Sequence, residues 1–360
     1  MRVIITAGGT GGHIIPALAI ASKIKELNKN SEILYIGTHN RMEKDIVPSS
    51  GYRFEAIEIY GFNKKLIRRN IKNINLIRKA VKRCLELIDE FKPDVVVGVG
   101  GYVTYPVIKA AKKRGIKTFI HEQNSIPGKS NRVLAKSADK IGISFEDSIT
   151  YFDSKKTVLT GNPCSENAID IKAIPKTKYG LNRNKKSILI VQGSLGSSAM
   201  NQKMKDFLNS VENENYDILY ITGKDHYEEF SKNKFSKNVH LAPYIDNLAA
   251  LMKDVDLIIS RAGASTISEI IALALPNILI PSPYVANNHQ FYNALSIKEN
   301  KAGEMLEEKD FTKEKLKEKI NKILDNPKYL SEMKDNLQKI SINNSSTIIY
   351  NVLKDLINKK

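Results

Sequence analysis

His13 closes the run Gly8-Gly9-Thr10-Gly11-Gly12. An imidazole changes charge near neutral pH, so it can take a proton from a hydroxyl group. A histidine at a helix start can equally pack or hydrogen-bond without doing chemistry. The four glycines among residues 8–12 let backbone approach another group with no Cβ in between. The run follows the β-branched stretch 2–7 and precedes an apolar stretch from Ile14, a strand-loop-helix pattern. A helix starting there turns unbonded N–H groups and its positive dipole end toward the loop, which suits phosphate or another anion. A dinucleotide fingerprint is excluded, because Ile14 replaces its last glycine and no acid ends the next strand. No Lys-Ser or Lys-Thr follows the glycines, and Pro127-Gly128-Lys129-Ser130 lacks its opening glycine at Gln123, so neither is a phosphate-binding Walker loop.

The second half restarts the pattern. Strand 187–192 runs into Gly193-Ser194-Leu195-Gly196, and Asp256–Thr266 echoes the strand and Gly-Gly turn of 94–101. Glu269 lies near the start of the expected helix 265–275. A carboxylate there either favours the helix dipole or accepts two hydrogen bonds from a ribose diol. Asn287-Asn288-His289-Gln290 opens another helix, 290–300, and amides at such a junction suit sugar hydroxyls. Asp254-Val255-Asp256 has the look of a metal-binding Asp-x-Asp, but it falls where a helix ends and a buried strand begins, so a cap and strand start is the better account.

The elements that position these residues are those of an α/β protein. Its 360 residues suit two domains, and a 42% apolar fraction suits two ordinary cores. Expected strands are 32–37, 54–59, 94–101, 118–124, 140–143, 157–160 and 239–242, with a helix at 41–49. In open parallel sheets ligands gather where strands end, so the loops 8–13, 98–104 and 121–131 should line one crevice. The Lys-rich stretch 171–186 reads as the end of a linker. Cys84 and Cys164 have no metal-ligand spacing, which fits a reducing compartment. The first apolar run stops at Ala7, unlike a signal peptide, and no apolar segment has the length of a bilayer span.

The formal net charge is +17, which draws a protein to polyanions. Residues 61–87 carry Lys64, Lys65, Arg68, Arg69, Lys72, Arg78, Lys79, Lys82 and Arg83 with no acid before Glu86. Beneath runs an apolar stripe of Ile67, Ile71, Ile74, Ile77, Val81, Leu85 and Ile88 at helical spacing. The stripe alone supports a core helix with a solvated basic face. The charge bias adds a face resting on anionic lipid, where each Lys or Arg contributes about 1 kcal/mol. Nucleic acid is not expected as partner, because aromatic residues for base stacking are nearly absent here.

In order along the chain, Gly8–His13 with Pro16, Gly100-Gly101-Tyr102, His121-Glu122-Gln123-Asn124 with Pro127-Gly128 and Asn131, Gly161-Asn162-Pro163, Gly193-Ser194, Arg261–Ala264 with Glu269, and His289-Gln290 with Asn293-Ala294 form one set of motifs. The set resembles the peptidoglycan N-acetylglucosaminyltransferase (MurG) family from the first strand to about residue 306. The resemblance implies a GT-B fold, with two doubly wound Rossmann-like domains facing across a cleft. Domain one is residues 1–163 plus a returning C-terminal helix, about 341–360, and binds acceptor and membrane. Residues 164–340 bind UDP-GlcNAc. It further implies an inverting transferase at the cytoplasmic face of the cell membrane, held peripherally. GlcNAc passes from UDP-GlcNAc to the 4-hydroxyl of MurNAc in lipid I, undecaprenyl-pyrophosphoryl-MurNAc-pentapeptide, giving lipid II for the cell wall. No cofactor or metal is implied.

Carried onto this chain, the resemblance makes His13 the general base, with Glu122 as second candidate. Ile245 presents backbone to uracil, Glu269 takes the ribose, and Ser194 holds the diphosphate. Ala264, Ser265 and Thr266 offer helix-start N–H groups, while Gln290, His289 and Asn293 read the sugar. Ser165 and Arg261 complete the donor site. From the first domain Thr10, Gly11, Gly12 and Asn124 reach the sugar, and Gly9, Gly100, Gly101 and Tyr102 receive the acceptor pyrophosphate. Two departures stand out: Cys164 and Ser165 occupy positions where the family carries an Arg, and Leu195 replaces a Gln or Arg. Rival readings are another GT-B glycolipid transferase, a UDP-GlcNAc 2-epimerase and a basic nucleic-acid-binding protein.

Overall fold

The computed structural model describes residues 1–61, 67–192 and 198–358, and for 67–72 and 198–199 the backbone alone. The chain divides into two compact units, Met1–Cys164 with Asn344–Lys360, and Ser165–Asn343.

The first unit begins β1 (Arg2–Ala7), α1 (Gly11–Leu27), β2 (Glu32–Thr38), α2 (Glu43–Ser49) and β3 (Arg53–Ile57). It continues α3 (Ile67–Phe91), β4 (Val95–Gly100), α4 (Thr104–Lys113), β5 (Lys117–Glu122), α5 (Lys129–Leu134), β6 (Lys140–Ile143) and β7 (Thr157–Leu159). All pairings are parallel, in the order β3-β2-β1-β4-β5-β6-β7. The strands are apolar on both faces because helices cover both sides. One side is packed by Ala80, Cys84, Leu87 and Phe91 of α3 with Val107 and Ile108 of α4. The other is packed by Ile14, Ile20 and Ile24 of α1 with Ile349, Leu353 and Leu356. Those last three belong to the C-terminal helix, and at roughly 1.5–3 kcal/mol per buried side chain they anchor it firmly to this unit.

The expected apolar stripe on α3 is turned relative to the core. Ile88 is buried and Ile77, Val81 and Leu85 pack partly, but Ile74 is 46% exposed. Ile67, Ile71, Lys64, Lys65, Arg68, Arg69 and Lys72 lie outside the described side chains.

The second unit opens with α6 (Cys164–Asp170), whose first residue still counts with the first unit. It runs β8 (Lys186–Val191), α7 (Ser198–Leu208), β9 (Tyr216–Ile221), α8 (Lys224–Phe230), β10 (Val239–Ala242) and α9 (Leu248–Met252). Then come β11 (Leu257–Ser260), α10 (Ala264–Ala272), β12 (Asn277–Leu279), α11 (His289–Glu299), β13 (Glu304–Met305), α12 (Lys313–Leu324) and α13 (Pro327–Lys339). Its parallel sheet has the order β10-β9-β8-β11-β12-β13. The last helix, α14 (Ser345–Asn358), is the one already placed in the first unit.

Both sheets reverse their winding beside the strand that feeds a glycine loop, between β1 and β4 and between β8 and β11. Ligands of doubly wound sheets bind at this switch point. In the first sheet it is marked by a bulge: Thr6 pairs with Gly98, but Ala7 pairs with Gly100. Asp254 and Asp256 turn out to be ties. Asp254 accepts the Lys176 N–H at 2.8 Å and Asp256 the Ser187 N–H at 2.8 Å, which fastens the linker end to the sheet.

Candidate functional site

In the first unit the expected loop is shorter than the glycine run. Helix α1 starts at Gly11, with Thr10 as its N-cap, so Gly11, Gly12 and His13 form the first turn. A first turn has no intrahelical acceptor for its N–H groups, so those of Gly11 and Gly12 face the loop as anion donors. His13 is half-buried, and its Nδ1 lies 3.2 Å from the Gly8 carbonyl and 3.3 Å from Thr10 Oγ1. A carbonyl only accepts, so Nδ1 carries the proton and Nε2 carries the lone pair.

The His13 ring rests on Gly100, and Gly101 comes directly against the Gly8 carbonyl. Gly100 and Gly101 have φ of +115° and +86°, the left-handed region that glycine alone enters freely. The Gly8 N–H donates to the Gly100 carbonyl at 3.3 Å, and Thr104 Oγ1 donates to the same oxygen at 2.8 Å. Tyr102 lays its ring between Gly9 and Gly61. Gly9 donates its N–H to Glu43 Oε2 at 3.2 Å. Gly100 and Gly101, expected to receive an anion, also frame the seat of His13, while Gly9, expected with them, is bonded to Glu43 and faced by Tyr102.

Glu122 also departs from expectation. Its Oε1 accepts from Asn124 N at 3.0 Å and Asn124 Nδ2 at 3.1 Å, and its Oε2 from Gly128 N at 3.0 Å and Asn131 Nδ2 at 2.9 Å. A buried carboxylate whose two oxygens are taken by its own loop shapes that loop, and it has no geometry left for a substrate proton. Neighbouring His121 is fully buried and bonded to Thr160, Gly161 and Gln123; burial pushes its pKa down to about 4, so it stays neutral.

In the second unit, Glu269 sits on the second turn of α10, because that helix starts at Ala264, and so it lies beyond reach of the dipole end. The residue is half-buried, but its carboxyl is turned inward, and burial pushes its pKa up to about 7, with no hydrogen bond or charge offsetting it among the described residues. Nearby on the same helix, Ser265 Oγ is buried and without a partner among the described residues, and the first-turn N–H groups of Ala264, Ser265 and Thr266 point out of the helix start. Gln290 Oε1 accepts the Ser282 N–H at 2.9 Å, which leaves its amide NH2 to donate elsewhere. His289 Nδ1 donates to the Ala286 carbonyl at 2.8 Å, placing its lone pair on Nε2. Ile245 is buried just after β10.

Three further donor-site candidates are tied into the chain. Arg261 forms a buried ion pair with Glu308 at 2.7 Å and donates to the Ile280 carbonyl at 3.2 Å. Asn293 is buried and donates to the Ala262 carbonyl at 3.2 Å. Ser165 donates to the Ile342 carbonyl at 3.0 Å. Each faces the polar backbone of a strand end or helix join, which a single sequence does not reveal. Ser194 and Leu195 lie outside the described residues.

Two residues were missed. Glu43 is fully buried under the first glycine loop. Gln192, at the end of β8, is 3% exposed, and neither amide atom has a partner among the described residues. The signal for Gln192 was its place at the switch point, but an amide closing a strand is unremarkable until its burial is known. Among the described residues no group of three or more His, Cys, Asp or Glu is placed to hold a metal.

The model of the glycosyltransferase family 28 N-terminal domain matches residues 3–143, and that of the family's C-terminal domain matches 187–348. The chain belongs to glycosyltransferase family 28. A Bacillus licheniformis protein named "UDP-N-acetylglucosamine--N-acetylmuramyl-(pentapeptide) pyrophosphoryl-undecaprenol N-acetylglucosamine transferase" is 42% identical over 361 residues, covering 99% of each chain. Among solved structures, MurG of Acinetobacter baumannii superposes with a TM-score of 0.81 at 25% identity, over 98% of this chain and 99% of that one. A UDP-GlcNAc 2-epimerase from Neisseria meningitidis, bound to UDP-GlcNAc, has a TM-score of 0.70 at 16% identity, over 99% and 100%, and shares the fold alone. The expected fold class, α/β with two Rossmann-like parallel sheets of the GT-B type, holds.

Proposed function

We propose that this chain moves GlcNAc from UDP-GlcNAc to the 4-hydroxyl of MurNAc in undecaprenyl-pyrophosphoryl-MurNAc-pentapeptide, converting lipid I to lipid II. The observation that carries the donor half is Glu269: a carboxyl group unpaired among the described residues, its pKa raised to about 7, that a ribose diol would satisfy. Full-length identity of 42% to a transferase named for this donor and acceptor supports the chemistry.

In this reading UDP-GlcNAc lies on the second unit, its ribose on Glu269. Its diphosphate rests on the start of α10 together with Ser194, and its sugar on Gln290. The acceptor lies on the first unit with its pyrophosphate at the Gly11 and Gly12 N–H groups. His13 Nε2 takes the proton of the 4-hydroxyl as that oxygen bonds to the anomeric carbon. The bond to UDP breaks, UDP leaves with the electron pair, and the configuration inverts from α to β. The negative charge gathering on UDP meets helix N–H groups.

The exposed side of α3 is the proposed lipid contact. Ile74 and Arg78 lie one turn apart with Lys79 and Lys82 beside them, all exposed, which joins an apolar anchor to a basic face. No described helix is long and apolar enough to cross a membrane, and attachment through this face would be peripheral.

Radiolabelled UDP-GlcNAc with a lipid I analogue tests the reading. Label should appear in lipid with UDP released. Label left in a free sugar nucleotide as ManNAc, with none in lipid, overturns it in favour of an epimerase. Tight, salt-sensitive RNA binding without UDP release would favour the non-enzyme rival.

A further inference from the structure

The peptide group joining Gly8 to Gly9 is bonded at both ends. Its N–H donates to Glu43 Oε2 at 3.2 Å, and its C=O accepts from His13 Nδ1 at 3.2 Å. Glu43 is fully buried, and its other oxygen accepts Thr38 N at 3.1 Å and Thr38 Oγ1 at 2.6 Å. No Lys or Arg pairs with it among the described residues. The carboxyl lies against Gly8, where any side chain would collide with it. A buried charge without a counter-ion is retained at a cost in stability. Here its hydrogen bonds run to the loop that holds the candidate base.

We infer that Glu43 is the positioning residue for His13, acting through the Gly8–Gly9 peptide. An anion on the N–H end of a peptide polarises it and makes its carbonyl a stronger acceptor. The stronger acceptor holds the proton on Nδ1, keeps the lone pair on Nε2 and stabilises the imidazolium that forms on proton transfer. The arrangement is that of a carboxylate orienting a catalytic histidine, with one peptide group inserted between them. Thr10 Oγ1 also reaches Nδ1 but is neutral, Gly100 presents only Cα to the ring, and Tyr102 faces Gly9. Tyr35, beside Glu43, is raised by burial and by the Glu43 charge, so it stays protonated.

The inference rests on His13 being the base of the proposed transfer, so its test has a readout that does not use turnover. With 15N-labelled histidine, the His13 resonances are identified by their loss in His13→Gln. In the wild-type protein the neutral ring should carry its proton on Nδ1, and Glu43→Gln should lower the His13 titration midpoint by removing the charge while keeping an acceptor. A proton on Nε2 in the wild type, or an unchanged midpoint in Glu43→Gln, overturns the inference. A proton on Nε2 in the wild type overturns the inference even if Glu43→Gln fails to fold. In the transferase assay Glu43→Gln should lower kcat about tenfold with both KM values within about twofold, the range for a partner that orients a catalytic ligand. Made on top of His13→Gln, it should cost nothing further. Wild-type turnover in His13→Gln would remove the base assignment alone and leave the tautomer result to stand by itself.

Discussion

A Cβ at Gly100 would sit 2.6 Å from His13 Cδ2 and 2.9 Å from Nε2, so the second glycine turn is the seat of the imidazole. This defines what Gly100→Ala should do. The added methyl pushes the ring off its seat, and φ of +115° adds strain. Turnover should fall at least about tenfold while UDP affinity is unchanged, because a small displacement of a base from its substrate proton is costly. Paired kcat and UDP titrations check it; a fall in UDP affinity matching the fall in kcat would deny the seat its specific role.

Glu269 makes a pH prediction. Its folded pKa of about 7 lies above the ordinary 4.5, so its protonated form is favoured in the folded, empty protein. The stabilisation is present below 4.5 and fades as pH rises through about 7. A ribose diol donates hydrogen bonds, so it favours the carboxylate and should expel the proton on binding. UDP affinity should therefore rise between about pH 6 and 8, with proton release seen by calorimetry in buffers of different ionisation enthalpy. Glu269→Gln should bind weakly and without pH dependence. An equal slope in that variant would remove the ribose role.

Glu122 separates a base from a loop clamp. Glu122→Ala strands four donors from Asn124, Gly128 and Asn131. The loss should be about 3 kcal/mol, a fall of roughly 6–12 °C in Tm for a domain of this size. A catalytic base would give the opposite pattern, a stable protein with almost no turnover. Thermal melts beside single-turnover rates distinguish the two.

The α3 face predicts salt-dependent lipid binding. Reversing Arg78, Lys79 and Lys82 to Glu removes roughly 1 kcal/mol of attraction per site and adds repulsion. Sedimentation with phosphatidylserine vesicles should lose most of the bound protein. Undiminished binding would place the contact elsewhere.

The reach of the sequence differs from residue to residue, and the reason is physical. Glu122 and Asn131 were visible as motif members, but a carboxylate accepting from its own loop looks in sequence like one waiting for a proton. Arg261 likewise reads as a donor-site side chain, and Glu308, on a distant segment, is found against it. Ile74 fits a helical stripe, yet the face that α3 buries is set by Cys84, Leu87 and Phe91 against the sheet.

The sequence by itself determined the two α/β halves, the strand-to-helix turns that carry glycine, and the candidates His13 and Glu269. Those features are local: side-chain periodicity, β-branching and the conformational reach of glycine act within a few residues. Tertiary structure alone decided that α1 begins inside the glycine run, that Glu43 reaches the Gly8–Gly9 peptide, and that Gly100 makes room for the His13 ring. Each depends on which strands neighbour β1 and on what is buried beneath its loop, and burial is a property of the packed chain rather than of any stretch of it.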